Sequence, residues 1–166
     1  MTLATKTLPR PTQQSNRPLP RAMNTPPAIN KHIFIFGNGN LSFHDFIRHY
    51  QTPIQQHLDA RTAFLLCDFR GVDTLAMELL KCLTPNVTVY HIGERPRYKP
   101  DAFRTEVNHW KFIGGFTSDK ERDLALIEAC THFIGLDFNS DSKRKSGTLT
   151  NIEHCRLRGK VDLTAL

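Results

Sequence analysis

The chain has 166 residues, a length that fits one domain with a buried core and is too short for two of ordinary size. Its net charge is +6, but four basic residues and no acids lie in the first thirty positions. The rest carries 18 basic and 16 acidic residues, so its charge does not favour a surface that coats nucleic acid. Because no apolar run is long enough to cross a bilayer and no secretory signal is evident, we expect a cytoplasmic protein without membrane contact.

Residues 1–30 are rich in proline, threonine and asparagine, and they contain six of the ten prolines of the chain. A segment of this composition buries too little apolar surface to offset the entropy lost on ordering. We therefore expect a disordered basic arm at residues 1–30, followed by one folded domain at residues 31–166.

Short apolar runs alternate with segments of helical spacing through the rest of the chain. Strands are predicted at residues 32–36, 63–67, 87–91, 110–116 and 132–138. Helices are predicted after Ser42 with a kink or break near Pro53, from Val72 to Leu83, from 118 to 130 and from 146 to about 159. Nearly continuous apolar strands separated by helices indicate an α/β fold, a Rossmann-like three-layer α/β/α arrangement with a mostly parallel sheet.

The four cysteines lie far apart in apolar stretches, which is typical of buried free thiols. They are Cys67, Cys82, Cys130 and Cys155. The eight histidines show no spacing typical of metal ligands. We therefore expect no disulfide framework, no metal site and no cofactor.

In parallel sheets of this kind, ligands bind outside the carboxyl ends of the strands. The loop after the first strand contains Gly37, Asn38, Gly39 and Asn40, where glycines allow a close approach of the backbone to a ligand. A tight turn between strand and helix explains the same residues equally well.

Two further loops at this edge carry polar residues. In the loop after the second predicted strand, Arg70 supplies a positive charge and Gly71 allows a ligand to approach the backbone closely. Asp73 either caps the following helix or holds a sugar hydroxyl. In the second loop, Ser146, Gly147 and Thr148 open the last helix, where hydroxyls and backbone N–H groups suit a phosphate. A plain helix cap is the alternative for this loop.

The order of these motifs resembles the SLOG superfamily, which includes YspA-like proteins, the DNA-processing protein DprA, the Lonely Guy phosphoribohydrolases and, more distantly, the nucleoside deoxyribosyltransferases. The resemblance covers about residues 31–160. It rests on Gly71-Val72-Asp73, Leu75-Ala76-Met77-Glu78, Trp110, Gly114-Gly115, Glu121-Arg122-Asp123, Thr131-His132-Phe133-Ile134, Ser146-Gly147-Thr148 and Asn151-Ile152. It implies a domain that binds nucleotides through the Gly-Val-Asp and Ser-Gly-Thr loops, with Arg122 and Asp123 facing the pocket.

One departure bears on catalysis. Relatives that cleave glycosidic bonds place a glutamate three residues after the threonine of their Gly-Thr motif, and here that position is Asn151. Glu153 lies two residues later, about 200 degrees around the helix, and is expected to point away. Whether the protein is an enzyme is left open, with Asp68 and Asp73 as weak catalytic candidates and Asp137 and Glu78 as the other carboxylates considered.

The favoured hypothesis is therefore binding or sensing of a nucleotide or nucleotide-derived small molecule, with Arg70, Arg122, Asp123 and Asn151 among the ligand contacts. One alternative is a hydrolase or transferase acting on the N-glycosidic bond of nucleotides. Another is a nucleic-acid-binding module of the DprA type. The basic loop around Arg97 is either a lid over an acidic ligand or a solvated loop. Pairing with a second copy of the chain is also left open.

Overall fold

The computed structural model describes residues 27–164, so most of the expected arm at residues 1–30 lies outside the described residues. The described part is built on six strands: β1 (Lys31–Gly37), β2 (Thr62–Cys67), β3 (Val87–Ile92), β4 (Lys111–Phe116), β5 (His132–Leu136) and β6 (Val161–Asp162). They form one sheet in the order β4-β3-β2-β1-β5-β6. Each neighbouring pair is parallel, which confirms the prediction of a mostly parallel sheet.

Helices connect the strands as parallel crossovers require. They are α1 (Phe43–Phe46), a π-helical segment (Ile47–Gln51), α2 (Thr52–Gln55), α3 (Val72–Leu80), a 3-10 turn (Glu106–His109), α4 (Asp119–Ala129) and α5 (Gly147–Leu157). No helix within residues 27–164 is long and apolar enough to cross a membrane.

Alternating side chains of the central strands fill two apolar cores, one on each face of the sheet. Ile33 and Ile35 of β1 pack in the core that contains Tyr50, Met77 and Trp110. The other core contains Phe34, Phe36, Leu126, Ile127 and Ile152, from β1, α4 and α5. Both faces of the sheet are thus covered by helices, and the three-layer α/β/α prediction is confirmed.

The direction of winding reverses at β1, and this places a crevice beside it. The chain passes from β1 to β2, β3 and β4 on one side, and it then returns to β5 on the other side of β1. The loops after β1 and β5 therefore diverge at the carboxyl edge of the sheet. In open sheets of this kind such a switch point is where ligands bind.

The structure differs from the sequence prediction at three places. The helix does not break at Pro53, because a π-helical segment leads directly into α2 and places the proline in its first turn. Helix α3 ends at Leu80, where the chain turns toward Pro85, so Leu83 is 46% exposed and Cys82 is exposed rather than buried. The two-residue strand β6 was not predicted.

Candidate functional site

A cleft of about 530 Å³ lies at the carboxyl ends of β1 and β2, between the loops that follow β1, β2 and β5 and the first turns of α4 and α5. We refer to it as the edge cleft. The predicted ligand-binding residues that line it are Gly37, Asn38, Asn40, Arg70, Asp73, Arg122, Asp123, Ser146, Gly147, Thr148 and Asn151. The fold therefore brings together residues from four separate segments of the chain.

Gly71 is the predicted ligand-binding residue that does not line the edge cleft. Its φ is 77°, and a Cβ atom there would overlap the carbonyl oxygen of Asn38 and the backbone of Gly39. The absence of a side chain thus lets the loop after β2 pack against the loop after β1. The close approach predicted for Gly71 is real, but the partner is the protein's own backbone rather than a ligand.

The N-terminus of α5 opens into the edge cleft. Ser146 caps it, because the Ser146 Oγ accepts a hydrogen bond from the Leu149 N–H at 3.0 Å. The N–H groups of Gly147 and Thr148 belong to the first turn and have no acceptor within the helix. A Cβ atom on Gly147 would meet no heavy atom within 4 Å, so no other residue packs against the side-chain position of Gly147.

A hydrogen-bond cluster around Asp137 holds this helix end against β1. The Ser146 hydroxyl donates to Asp137 Oδ1 at 2.6 Å, and the Asn38 amide donates to the same oxygen at 3.0 Å and to Thr148 Oγ1 at 3.2 Å. Burial opposes ionisation of Asp137, but hydrogen bonds from Ser140, Ser146 and Asn38 hold its pKa well below the ordinary value. Asp137 and Asn38 therefore fix the shape of the cleft wall, and their polar side-chain atoms are already hydrogen-bonded within the protein.

Asp68 lies at the end of β2 beneath the cleft, with a side chain that is fully buried. Arg97 donates to it from its backbone N–H at 2.8 Å and from its guanidinium at 2.8 and 3.1 Å, and Arg122 donates at 3.0 Å. Burial opposes ionisation, yet these arginines lower the pKa of Asp68. Because Asp68 does not line the cleft and both of its oxygens are paired, its predicted catalytic role is not supported by its position.

The basic loop after β3 does not line the cleft, and its Arg95, Arg97 and Lys99 are exposed, although Arg97 and Tyr98 also contact residues of the domain. Arg97 is docked on Asp68 and also contacts Asp119 at 3.1 Å, and the Tyr98 hydroxyl donates to Glu78 Oε1 at 2.5 Å. The carboxylate of Glu78 is thereby held on the outer side of α3, away from the residues that line the cleft. Glu78 is excluded as a catalytic candidate by this placement.

Arg122 is buried and shared among three carboxylates. Its guanidinium contacts Asp68 at 3.0 Å, Asp119 at 2.9 Å and Asp123 at 2.8 Å. Asn151 donates from Nδ2 to the other oxygen of Asp123 at 2.8 Å. Arg122 and Asp123 face the cleft as the resemblance implies, but the charge of Arg122 is already balanced by the protein.

Asp73 is the least satisfied polar group of the site. It is 3% exposed, and its Oδ1 has no hydrogen-bond partner among the described residues. Burial raises the pKa of Asp73 to about 8, an effect that nearby Arg122 opposes and Asp123 reinforces. The side chain therefore lies in the cleft as a neutral carboxylic acid near neutral pH, and it does not cap α3, whose first residue follows Gly71 without a side-chain cap.

Several residues of the edge cleft were missed at the sequence level. Arg144 lies in the loop before α5, Asn139 follows β5 and bonds Asn40 at 2.7 Å, and Phe69 lies beside Arg70 with 37% of its surface exposed. The position of these residues in loops after predicted strands was the available signal. Phe36, Cys67, Gly39 and Asp119 complete the lining.

Glu153 forms an ion pair with Lys145 and is not among the residues that line the cleft. This agrees with the expectation, from its position on the helix, that Glu153 points away from the site. Within residues 27–164, no group of three or more histidine, cysteine, aspartate or glutamate side chains is arranged to hold a metal ion.

No family model matches the chain, and no curated protein matches it. Among solved structures, the chain is similar to DNA processing protein A from Helicobacter pylori, whose structure shows a single-stranded DNA binding mode, with a TM-score of 0.56 and 13% identity. The match covers 80% of this chain and 63% of that chain.

The shared feature is the fold. At 13% identity the likeness extends to a DprA-like arrangement of the sheet and its helices, which agrees with the resemblance drawn from the motifs. The chain spans less than two thirds of that solved chain.

Proposed function

We propose that the edge cleft binds a nucleotide or a nucleotide-derived small molecule, with its phosphate against the first turn of α5. The observation that carries this proposal is that Gly147 and Thr148, the first two residues of α5, line the edge cleft while their N–H groups have no acceptor within the helix. The N-terminus of a helix attracts anions because its N–H groups and its dipole act together.

Two arginines beside this helix end support the proposal. Arg70 and Arg144 both line the edge cleft, and neither forms an ion pair within residues 27–164. Their charge is therefore available to a phosphate, unlike that of the buried Arg122. Phe69 lies at the same rim with Arg70 Cζ 5.8 Å from its ring centroid, and its exposed face suits a nucleobase.

The proposed function is binding or sensing rather than cleavage of an N-glycosidic bond. Asn151 cannot act as a nucleophile or a general base, and its amide is engaged with Asp123. Asp68 is buried in ion pairs, and burial raises the pKa of Asp73 to about 8, so neither residue offers a free carboxylate as a base or nucleophile near neutral pH. The four cysteines of the chain are unpaired, which agrees with the cytoplasmic location expected from the sequence.

Binding of single-stranded nucleic acid is a second candidate, favoured by one observation. Phe69 is exposed at the rim of the cleft and is contacted by the guanidinium groups of both Arg70 and Arg97, at 5.8 and 5.1 Å from the ring centroid. Aromatic rings beside arginines form the stacking platforms of proteins that bind single strands. The similar fold of the Helicobacter pylori protein adds weight to this candidate.

The test is titration calorimetry with the four ribonucleoside 5'-monophosphates and, in parallel, fluorescence anisotropy with a labelled oligodeoxynucleotide. The variants are Gly147→Val, which places a branched side chain before the α5 N–H groups, and Arg144→Gln. Arg48→Gln is the matched control, because Arg48 is exposed and lies outside the edge cleft.

We expect at least one monophosphate to bind, Gly147→Val to abolish binding, and Arg144→Gln to weaken it about tenfold while Arg48→Gln does not. Binding of the oligonucleotide without any monophosphate would favour the second candidate. Absence of binding in both assays, or binding unchanged by Gly147→Val, would overturn the proposal.

A further inference from the structure

The deep end of the edge cleft differs in chemistry from its phosphate-binding rim. The rim has the α5 N-terminus with Arg70 and Arg144, whereas the deep end has the carboxyl groups of Asp73 and Asp123 beside the amide of Asn151. A ligand that fills the cleft thus meets positive groups at one end and hydrogen-bonding carboxyl groups at the other.

Asp73 requires a partner that the described protein does not provide. Its carboxyl is buried, its Oδ1 has no hydrogen bond, and the residue lines the cleft. Buried polar atoms are almost always hydrogen-bonded, because leaving one unpaired is costly. A ligand group that both donates and accepts a hydrogen bond would satisfy this carboxyl.

Asp123 offers a second contact at the same depth. Asn151 donates to its Oδ2 and Arg122 to its Oδ1, so the carboxylate is held in one orientation. Oδ1 already accepts from two nitrogens of Arg122 and from the Cys67 thiol, whereas Oδ2 accepts only from Asn151 and has room for another donor. With 19% of its side chain exposed, Asp123 remains accessible from the cleft.

A second phosphate at this end is disfavoured. Asp123 lies at this end, the exposed Asp119 lines the same cleft, and the buried Arg122 is already shared among Asp68, Asp119 and Asp123. An added anion would be repelled by these carboxylates without gaining a free partner. The groups that fit are neutral hydroxyls.

The spacing between the two ends matches one pentose. Asn151 follows Gly147 by one helical turn, and four residues of α-helix rise about 6 Å. This is the reach from the 5'-phosphate of a nucleotide across its sugar to the hydroxyls on the far side of the ring.

We infer that Asp73 and Asp123 recognise the vicinal hydroxyls of a ribose, so that the edge cleft selects ribonucleoside monophosphates over their 2'-deoxy counterparts. This inference rests on the proposed binding of a nucleotide phosphate at α5. It adds the class of sugar, which neither the helix N-terminus nor the arginines determine.

The experiment compares each ribonucleoside 5'-monophosphate with its 2'-deoxy analogue by titration calorimetry. It uses the full chain and the variants Asp73→Ala and Asp73→Asn, with circular dichroism to verify folding. Glu94→Ala is the control, because Glu94 is an exposed acid outside the cleft.

We expect the wild type to bind a ribonucleotide about tenfold or more tightly than the deoxynucleotide, as for the loss of a hydrogen bond in a site built to make it. Asp73→Ala should reduce this ratio to near one, Asp73→Asn should retain part of it, and Glu94→Ala should leave it unchanged. Equal affinities of the wild type for the two sugars, or a ratio unaffected by both Asp73 variants, would overturn the inference while leaving phosphate binding intact. If no monophosphate binds, the proposed function fails and this inference fails with it.

Discussion

Replacing Asp73 by asparagine is expected to stabilise the protein increasingly as the pH rises from about 4 to about 8. The ordinary pKa of the carboxyl is 3.8, and burial raises it to about 8 in the folded protein. Below pH 3.8 the group is protonated in both the folded and the unfolded chain and contributes no pH dependence. Between the two values the unfolded chain releases its proton while the folded chain keeps it, so the free energy of unfolding falls as the pH rises.

The size of the effect follows from the difference between the two pKa values. Each pH unit in this window lowers the free energy of unfolding by about 1.4 kcal/mol, so at pH 7 the accumulated loss is about 4 kcal/mol. Asparagine has nearly the same shape and no proton to lose, and the variant therefore escapes this loss. Above about pH 8 the folded carboxyl ionises as well, and the difference between the two proteins levels off.

The assay is urea denaturation of the wild type and of Asp73→Asn at half-unit steps from pH 4.5 to 9. The other titrating groups are shared, so the difference in the free energy of unfolding isolates Asp73. Glu94→Gln serves as a control in which an exposed carboxyl is neutralised and no comparable slope is expected. A difference that is equal at pH 4.5 and pH 8 would show that Asp73 is ionised in the folded protein, and the reasoning would be refuted.

Three further predictions test the architecture around the cleft. Gly71→Ala should lower the free energy of unfolding by more than about 2 kcal/mol, because the residue has φ of 77° and no room for a Cβ atom. Gly115→Ala is the control: Gly115 has φ of 91° but open space around it, so this substitution should cost only about 1 kcal/mol. Asp68→Asn should cost about 3 to 5 kcal/mol because two arginines lose a buried carboxylate, and Arg97→Gln should cost less because Arg97 is partly exposed; chemical denaturation measures both. Chromatography should detect no free base released from nucleoside monophosphates by the wild type, and robust release would contradict the assignment of Asn151 as a non-catalytic replacement.

The sheet and the edge that carries the cleft could be predicted because their signals are local. The apolar runs that became β1, β2, β3 and β5 are each flanked by polar loops, and parallel strands place all such loops at one edge. The cap at Ser146 was also predictable, since a serine before a glycine and a helical segment is sufficient to locate the end of α5. These two inferences together were enough to assemble most of the edge cleft.

The charge state of the cleft could not be predicted in the same way. Asp68 lies 29 residues from Arg97 and 54 from Arg122, and nothing in the sequence around any of them indicates that they meet. The protonated state of Asp73 depends on burial by segments that are distant along the chain. Strand β6 was missed because two exposed residues carry no periodic pattern, and they become a strand through pairing with β5.

These long-range pairs determine which of the predicted cations can meet a ligand. Arg122 belongs to the motif that suggests a phosphate contact, but it ties α4 to the end of β2 through Asp68 and orients Asp123 toward Asn151. If Arg122 bound a ligand phosphate, three carboxylates would lose their shared partner inside the protein. For the proposed ligand, the helix N-terminus and the arginines of the rim, which form no ion pair within residues 27–164, are therefore the better phosphate contacts. Under the proposed function, this division lets one small cleft hold an anion at its mouth and reject a second anion at its base.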